Sequence, residues 1–303
     1  MNGQKTLRGT VCAILGGVCW GVSGTVGQYL FTQKGIDSGW LTVVRMLCAG
    51  AILLAAAALR YPREVSGIWR DKKAACRLIL FALFGILPCQ YAYLEAIRCS
   101  NSATATVLQY LGQALVLFWA CLKGRRLPCG KEAQALILAL GGVFLLSTHG
   151  RFTALYLAPG ALFWGMMAAL ALFLYTTLPG KLLETYPAPV CTGYGMLLGG
   201  IALCLLLRAW TYEVTPDFVT VLGVAEIVLV GTAAAFTLYL QGVNDLGGVK
   251  ASLFACSEPV SAALCAGLWL KTRFAVEDIA GMVMIILMAA LLALPEKKKE
   301  ALR

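Results

Sequence analysis

Stretches of about twenty mostly apolar residues, separated by small clusters of charge and Pro/Gly turns, constrain this chain more than any other feature. Cut at those clusters, the sequence gives ten runs, over residues 10–32, 39–60, 75–97, 101–122, 130–148, 155–178, 188–208, 219–243, 247–270 and 276–294. The junctions between them include Lys34-Gly35-Ile36-Asp37, Tyr61-Pro62-Arg63-Glu64, Lys123-Gly124-Arg125-Arg126, Leu178-Pro179-Gly180-Lys181 and Thr215-Pro216-Asp217. Inside a bilayer a backbone must satisfy its own hydrogen bonds, so runs of this length read as spanning α-helices. Strands of a closed barrel would be about ten residues long and alternate in polarity, which these runs do not. The expected fold is an all-α polytopic membrane protein with ten transmembrane helices.

Composition excludes the other classes. The 303 residues are 60% hydrophobic and 13% charged, whereas soluble domains run at about 45–50% and about 25%. Such a surplus of apolar surface has no place in a soluble enzyme, a disordered chain or a DNA-binding domain. The net charge of +10 reads as basic loops rather than a nucleic-acid partner. The 12 cysteines form no Cys-x-x-Cys pair, and His149 is the lone histidine. No metal site, redox motif or cofactor is therefore expected.

Lys5 and Arg8 precede the first run, as in a signal peptide, but Val11 to Leu30 exceeds a typical signal core and reads as a retained helix. With the N-terminus placed inside, 18 Lys and Arg fall on inner loops and 6 on outer ones, with Arg45 inside a span. That bias puts both termini in the cytoplasm and the chain in the cytoplasmic membrane.

The halves echo each other. Gly16-Gly17-Val18-Cys19-Trp20-Gly21 is matched by Gly160-Ala161-Leu162-Phe163-Trp164-Gly165, 144 positions on. Leu122-Lys123-Gly124-Arg125 is matched by Leu270-Lys271-Thr272-Arg273, 148 positions on. Five spans per half, over residues 1–150 and 151–303, reverse the insertion of the second half. The outcome is an inverted repeat, a recurrent plan of secondary transporters. Glycines on span one and at 141–142 and 199–200 suit close helix approach, either for static packing or for sliding.

Along nearly its whole length the chain resembles the drug/metabolite transporter superfamily, in its EamA-type members of two five-helix repeats. The residues carrying the resemblance are the two Trp-Gly pairs, Arg45, Tyr93-Leu94-Glu95-Ala96-Ile97 and Ser102-Ala103. In the second half they are Tyr239-Leu240-Gln241-Gly242-Val243, Lys250-Ala251-Ser252-Leu253-Phe254 and Glu258-Pro259-Val260. The resemblance implies movement of small metabolites through a central cavity between the repeats. The chain departs from the family pattern at Leu111-Gly112-Gln113-Ala114, where a proline is usual. It also has Arg125 and Thr272 near places where an acid is common.

Ionisable groups within spans cost about 2.5–3.5 kcal/mol on insertion scales and usually face a cavity or a partner. Four stand out: Arg45, Glu95, Glu226 and Glu258. Arg45 is open to two readings, an ion pair with Glu95 or Glu226 or a gate that meets a substrate anion. Glu258 precedes Pro259, which frees a carbonyl one turn earlier. Its carboxylate is open to carrying a coupling proton, meeting a substrate amine, or sitting as a neutral structural group. Gln109 and Gln113 share a face of span four, with Tyr110, Trp20 and Trp164 at similar depth. Tyr91, Gln90 and Tyr93 follow on span three, and Gln241 and Asn244 on span eight. Lys250 and His149 read as interfacial.

The expected function is a secondary active transporter working by alternating access. Its cargo would be an amino acid or similar amphipathic solute, moved in the direction of export. Its partners would be that small solute, the lipid bilayer, and a coupling proton or counter-substrate. The alternatives are an intramembrane enzyme and a passive channel subunit. No P-loop, Ser/His/Asp set or His-Glu-x-x-His helix supports catalysis.

Overall fold

A computed structural model describes residues 3–128, 130–150, 156–214, 217–246, 251 and 254–293. Expectations for Arg151, Lys250, Ser252, Leu253 and the basic tail from Pro295 lie outside those residues. Every described element is helical or a turn. The first half contains α1 (Gly3–Gln33), α2 (Ser38–Arg60), the short α3 (Pro62–Gly67), α4 (Lys72–Leu80), α5 (Leu87–Cys99), α6 (Ser102–Lys123) and α7 (Gly130–Thr148). The second contains α8 (Pro159–Thr177), the short α9 (Gly180–Leu183), α10 (Ala188–Leu207), α11 (Phe218–Val228), α12 (Ala235–Leu246), α13 (Ser257–Leu268) and α14 (Val276–Ala293).

Among the described residues seven helices are long and apolar enough to cross a membrane, over Gln4–Lys34, Ser38–Arg60, Lys72–Cys99, Ser102–Lys123, Pro159–Thr177, Ala188–Leu207 and Phe218–Leu246. Exposed Leu, Ile, Val, Phe and Trp side chains cover their outer faces, as lipid-facing helices require. The chain is a multi-pass membrane protein.

Short polar residues open these helices. Asp37 accepts from Gly39 N and Trp40 N at 2.7 and 3.1 Å, and Asn101 accepts from Thr104 N at 2.8 Å. Each supplies an acceptor for amides that have no intrahelical partner. Asp71 caps α4 and Asp217 caps α11 in the same way.

Both of those Asp-capped helices then pass through one π-helical stretch, Phe81–Ile86 and Leu229–Ala234, 148 positions apart. A π turn carries one extra residue and re-aims the side chains around it. Helix pairing follows a similar correspondence. α1 packs on α12 and α13, α8 packs on α5 and α6, α2 packs on α10, and α7 packs on α14. Exchanging each first-half helix with its second-half counterpart leaves that pattern unchanged.

The glycines of span one serve close approach. A Cβ on Gly21 would lie 2.4 Å from the Glu258 carbonyl, and one on Gly17 would lie 2.8 Å from that of Ala255. Gly165, after the second tryptophan, meets Leu108 on α6 at 2.4 Å in the same sense. α6 runs unbroken from Ser102 to Lys123, so the proline-free sequence there gives a continuous helix.

Candidate functional site

Span nine breaks where the sequence places Pro259. Phe254 and Ala255 are helical, Cys256 is a turn, and α13 starts at Ser257 with Glu258 in its first turn. Proline offers no N–H to the carbonyl four residues back, that of Ala255. The Tyr110 hydroxyl supplies the missing donor, 3.1 Å from Ala255 O and 3.2 Å from Glu258 Oε2. Leaving that buried carbonyl unmet would cost about 1–3 kcal/mol. Tyr110 therefore ties the break in span nine to span four.

These groups line a cavity of about 740 Å³ between the halves, within the roughly 300–1,000 Å³ typical of small-molecule sites. Trp20, Gln109, Tyr110, Gln113, Arg45 and Glu258 all face it. Trp20 meets Phe236 edge-on and Tyr239 at a tilt, each with ring centroids 5.3 Å apart. Gln109 Nε2 lies 3.6 Å from Cys89 Sγ. Away from Trp20 and Arg45 the cavity runs past Thr176, Pro179, Leu183, Lys131 and Leu291 to the end of the bundle where α6 gives way to α7.

The opposite end is sealed by contacts across the bundle. Gln28 on α1 accepts from Ser102 N at 2.8 Å and donates to Thr272 Oγ1 at 3.3 Å. Thr25 meets Ser102 at 3.1 Å, and Tyr29 stacks on Trp269 at 5.3 Å. Lys34 pairs with Asp217 at the start of α11. Hydrogen bonding to Lys34 holds the Asp217 carboxyl well below the usual carboxylate range.

Arg45 is buried, and its Nε donates to Thr232 Oγ1 at 3.1 Å. Thr232 sits in the second π stretch and donates its own proton to Ile227 O at 2.9 Å. Of the two carboxylates left open as partners of Arg45, Glu95 forms no ion pair with it. Arg98, three residues on, takes Glu95 through Nε and Nη2 at 2.8 and 2.6 Å, and Ser38 donates to the other oxygen. Neither does Glu226 form an ion pair with Arg45. Its carboxylate oxygens are buried without hydrogen-bond geometry, with Ser23 as the polar neighbour.

Trp164 and Tyr91, expected as lining, are set apart from the cavity. They meet edge-on at 5.5 Å, and Trp164 packs beneath the sealed end against the cluster containing Leu30 and Leu94. Glu95, Glu226 and Pro259 also stand off the lining. Gln28, Thr232 and Arg98 went unmarked as site residues in the sequence, and Ser102 was marked only through the family resemblance. Only Arg98 had a local signal, its spacing of three from Glu95 on one helix face.

A multi-pass helical bundle around a cavity whose largely apolar lining carries a few polar and aromatic groups has the build of a membrane transporter. The profile of the EamA-like transporter family matches twice, over residues 7–148 and 159–294, and the chain belongs to that family, within the drug/metabolite transporter superfamily. An uncharacterized inner membrane transporter of Salmonella typhimurium, YicL, is 35% identical over 298 residues, covering 97% of this chain and 98% of that protein. An uncharacterized transporter of Bacillus subtilis, YwfM, is 25% identical over 290 residues, covering 93% of each. A solved crystal structure shares the fold at a TM-score of 0.62 and 19% identity, covering 96% of both chains. Family and relatives alike indicate a transporter rather than an enzyme.

Proposed function

We propose that this chain is a secondary active carrier of ten transmembrane helices, two oppositely inserted five-helix repeats over residues 1–150 and 151–303, that exports a small amphipathic solute by alternating access. The observation carrying this reading is the cavity between the halves, which runs to one end while hydrogen bonds and an ion pair close the other. The exchange symmetry of helix pairing and the matched π stretches support two repeats. The 18-to-6 distribution of Lys and Arg supports cytoplasmic termini and a cytoplasmic position for the open end. The solute then enters from the cytoplasm and leaves after the halves rock and the outer contacts part.

The lining suits a solute with an apolar body and hydrogen-bonding groups. Trp20 and Tyr239 supply the aromatic wall, and Gln109 and Gln113 the amides. Glu258 is the coupling group: a carboxylate in the cavity wall, bonded to Tyr110 and within electrostatic reach of Arg45. Arg45 stays charged, and Glu226 and Glu258 act on it through space.

Reconstitution in sealed liposomes tests the reading. Vesicles loaded with a solute that stabilises the protein against heat are expected to take up labelled solute by counterflow. Glu258→Gln is expected to abolish accumulation driven by a pH gradient and spare the exchange. Flux without counterflow would favour a channel, and unchanged accumulation would remove Glu258 from coupling.

A further inference from the structure

The setting of Arg45 bears on which solutes the carrier takes, and this step rests on the carrier reading above. Arg45 is 7% exposed and lines the cavity. A guanidinium does not escape burial by losing its proton, so at membrane depth its charge calls for partners. One edge of the fork is held. Thr232 has committed its proton to Ile227 O, so its oxygen offers Arg45 Nε only a lone pair, and the π stretch fixes where that lone pair sits.

The other edge is open. Among the described residues no carboxylate forms an ion pair with Arg45, and its two Nη groups have no hydrogen-bond partner. Glu95 is taken by Arg98 and Ser38, while Glu226 and Glu258 act on Arg45 only through space. A planar pair of N–H donors matches the two oxygens of a carboxylate. Trp20, Phe236 and Tyr239 supply an apolar wall in the same cavity.

We propose that Arg45 is the carboxylate-binding residue of the cavity, that Thr232 positions it, and that the solutes carried are monocarboxylates with an aromatic or branched apolar body. The carboxylate docks on the two Nη groups, and the body lies against the Trp20 wall.

Matched acids and amides test this in the purified full-length protein. 3-Phenylpropionate and L-phenylalanine are compared with 3-phenylpropanamide and L-phenylalaninamide by ligand-induced thermal stabilisation, with sodium chloride as a further arm. Wild type is expected to bind the acids at least about tenfold more tightly than the amides, as a charge-assisted pair implies. Arg45→Gln is expected to bring that ratio close to one. Thr232→Val keeps the guanidinium and is expected to lower the ratio severalfold, which serves should Arg45→Gln fail to fold. Equal binding of acid and amide by wild type overturns the proposal. So does an acid preference that survives in both variants, a response to chloride alone, or no response to any carboxylate. Acid and amide both bound and both exchanged across liposomes would sink only this step, whereas bound solutes that show no counterflow would sink the carrier reading.

Discussion

Replacing Gly21 by alanine probes how closely the first helix of one half must approach the broken span of the other. A Cβ there would stand 2.0 Å from Ser261 Oγ, 2.4 Å from Glu258 O and 2.8 Å from Ala262 N. The serine hydroxyl is a side-chain end that turns about one bond, but the carbonyl and amide belong to the α13 backbone. Restoring ordinary contact requires α1 and α13 to separate by roughly 1 Å, which forfeits dispersion along the whole crossing. Overpacking of this kind costs about 1–3 kcal/mol. Gly27 on the same helix is the control, because a Cβ there meets Leu94 Cδ2 at 3.8 Å. Gly27→Ala is expected to be neutral or to stabilise by up to about 1 kcal/mol through helix propensity. Thermal unfolding of both purified variants, followed by tryptophan fluorescence, reads the difference. Equal melting of the two, or a Gly21→Ala protein more stable than its parent, would refute the reasoning.

Other expectations concern the hydrogen bonds. Tyr110→Phe keeps the ring but strips the donor from Ala255 O, and is expected to lower stability by about 1–3 kcal/mol in the same melting assay. Arg98→Ala is expected to destabilise more than Glu95→Gln, since the first leaves a buried carboxylate with only Ser38 and the second removes the charge. Partial exposure of Arg98, 49% of its side chain, limits that difference, and a chemical-denaturation series on both variants measures it. Asp217 is depressed by Lys34, so its contribution is present above the unfolded value of about 3.9 and is lost as pH falls through the lower native value. The melting difference between wild type and Asp217→Asn is therefore expected to hold constant from neutrality down to about pH 4 and to vanish only in stronger acid.

The helical membrane fold was legible because lipid imposes length and apolarity on each span directly. Asp37 and Asp217, read as punctuation between runs, act as helix caps. The Glu258-Pro259 pair also announced a local event, since a proline must orphan the carbonyl four residues back. That Tyr110 answers it depends on how α6 and α13 cross, which no local pattern encodes. Neither π stretch has a sequence signature, because the extra residue is accommodated by tertiary packing, and with it the Thr232 contact of Arg45 was hidden. Glu95 was left open as one of two partners for Arg45, although Arg98 stood one turn away on its own helix. The two Trp-Gly pairs look alike in sequence yet differ in setting. Trp20 faces the open cavity while Trp164 packs under the sealed end, so a motif repeated in sequence need not repeat its exposure.

Opposite insertion of the two halves is tested most directly at the ends of α1 and α8, the paired first helices. In a background without native cysteines, Gln33→Cys and Lys181→Cys are each exposed to a membrane-impermeant maleimide, first in intact cells and then after permeabilisation. An inverted repeat places Gln33 outside and Lys181 inside, so the first is expected to label in intact cells and the second only once the membrane is opened. Labelling of both positions from the same side would contradict it.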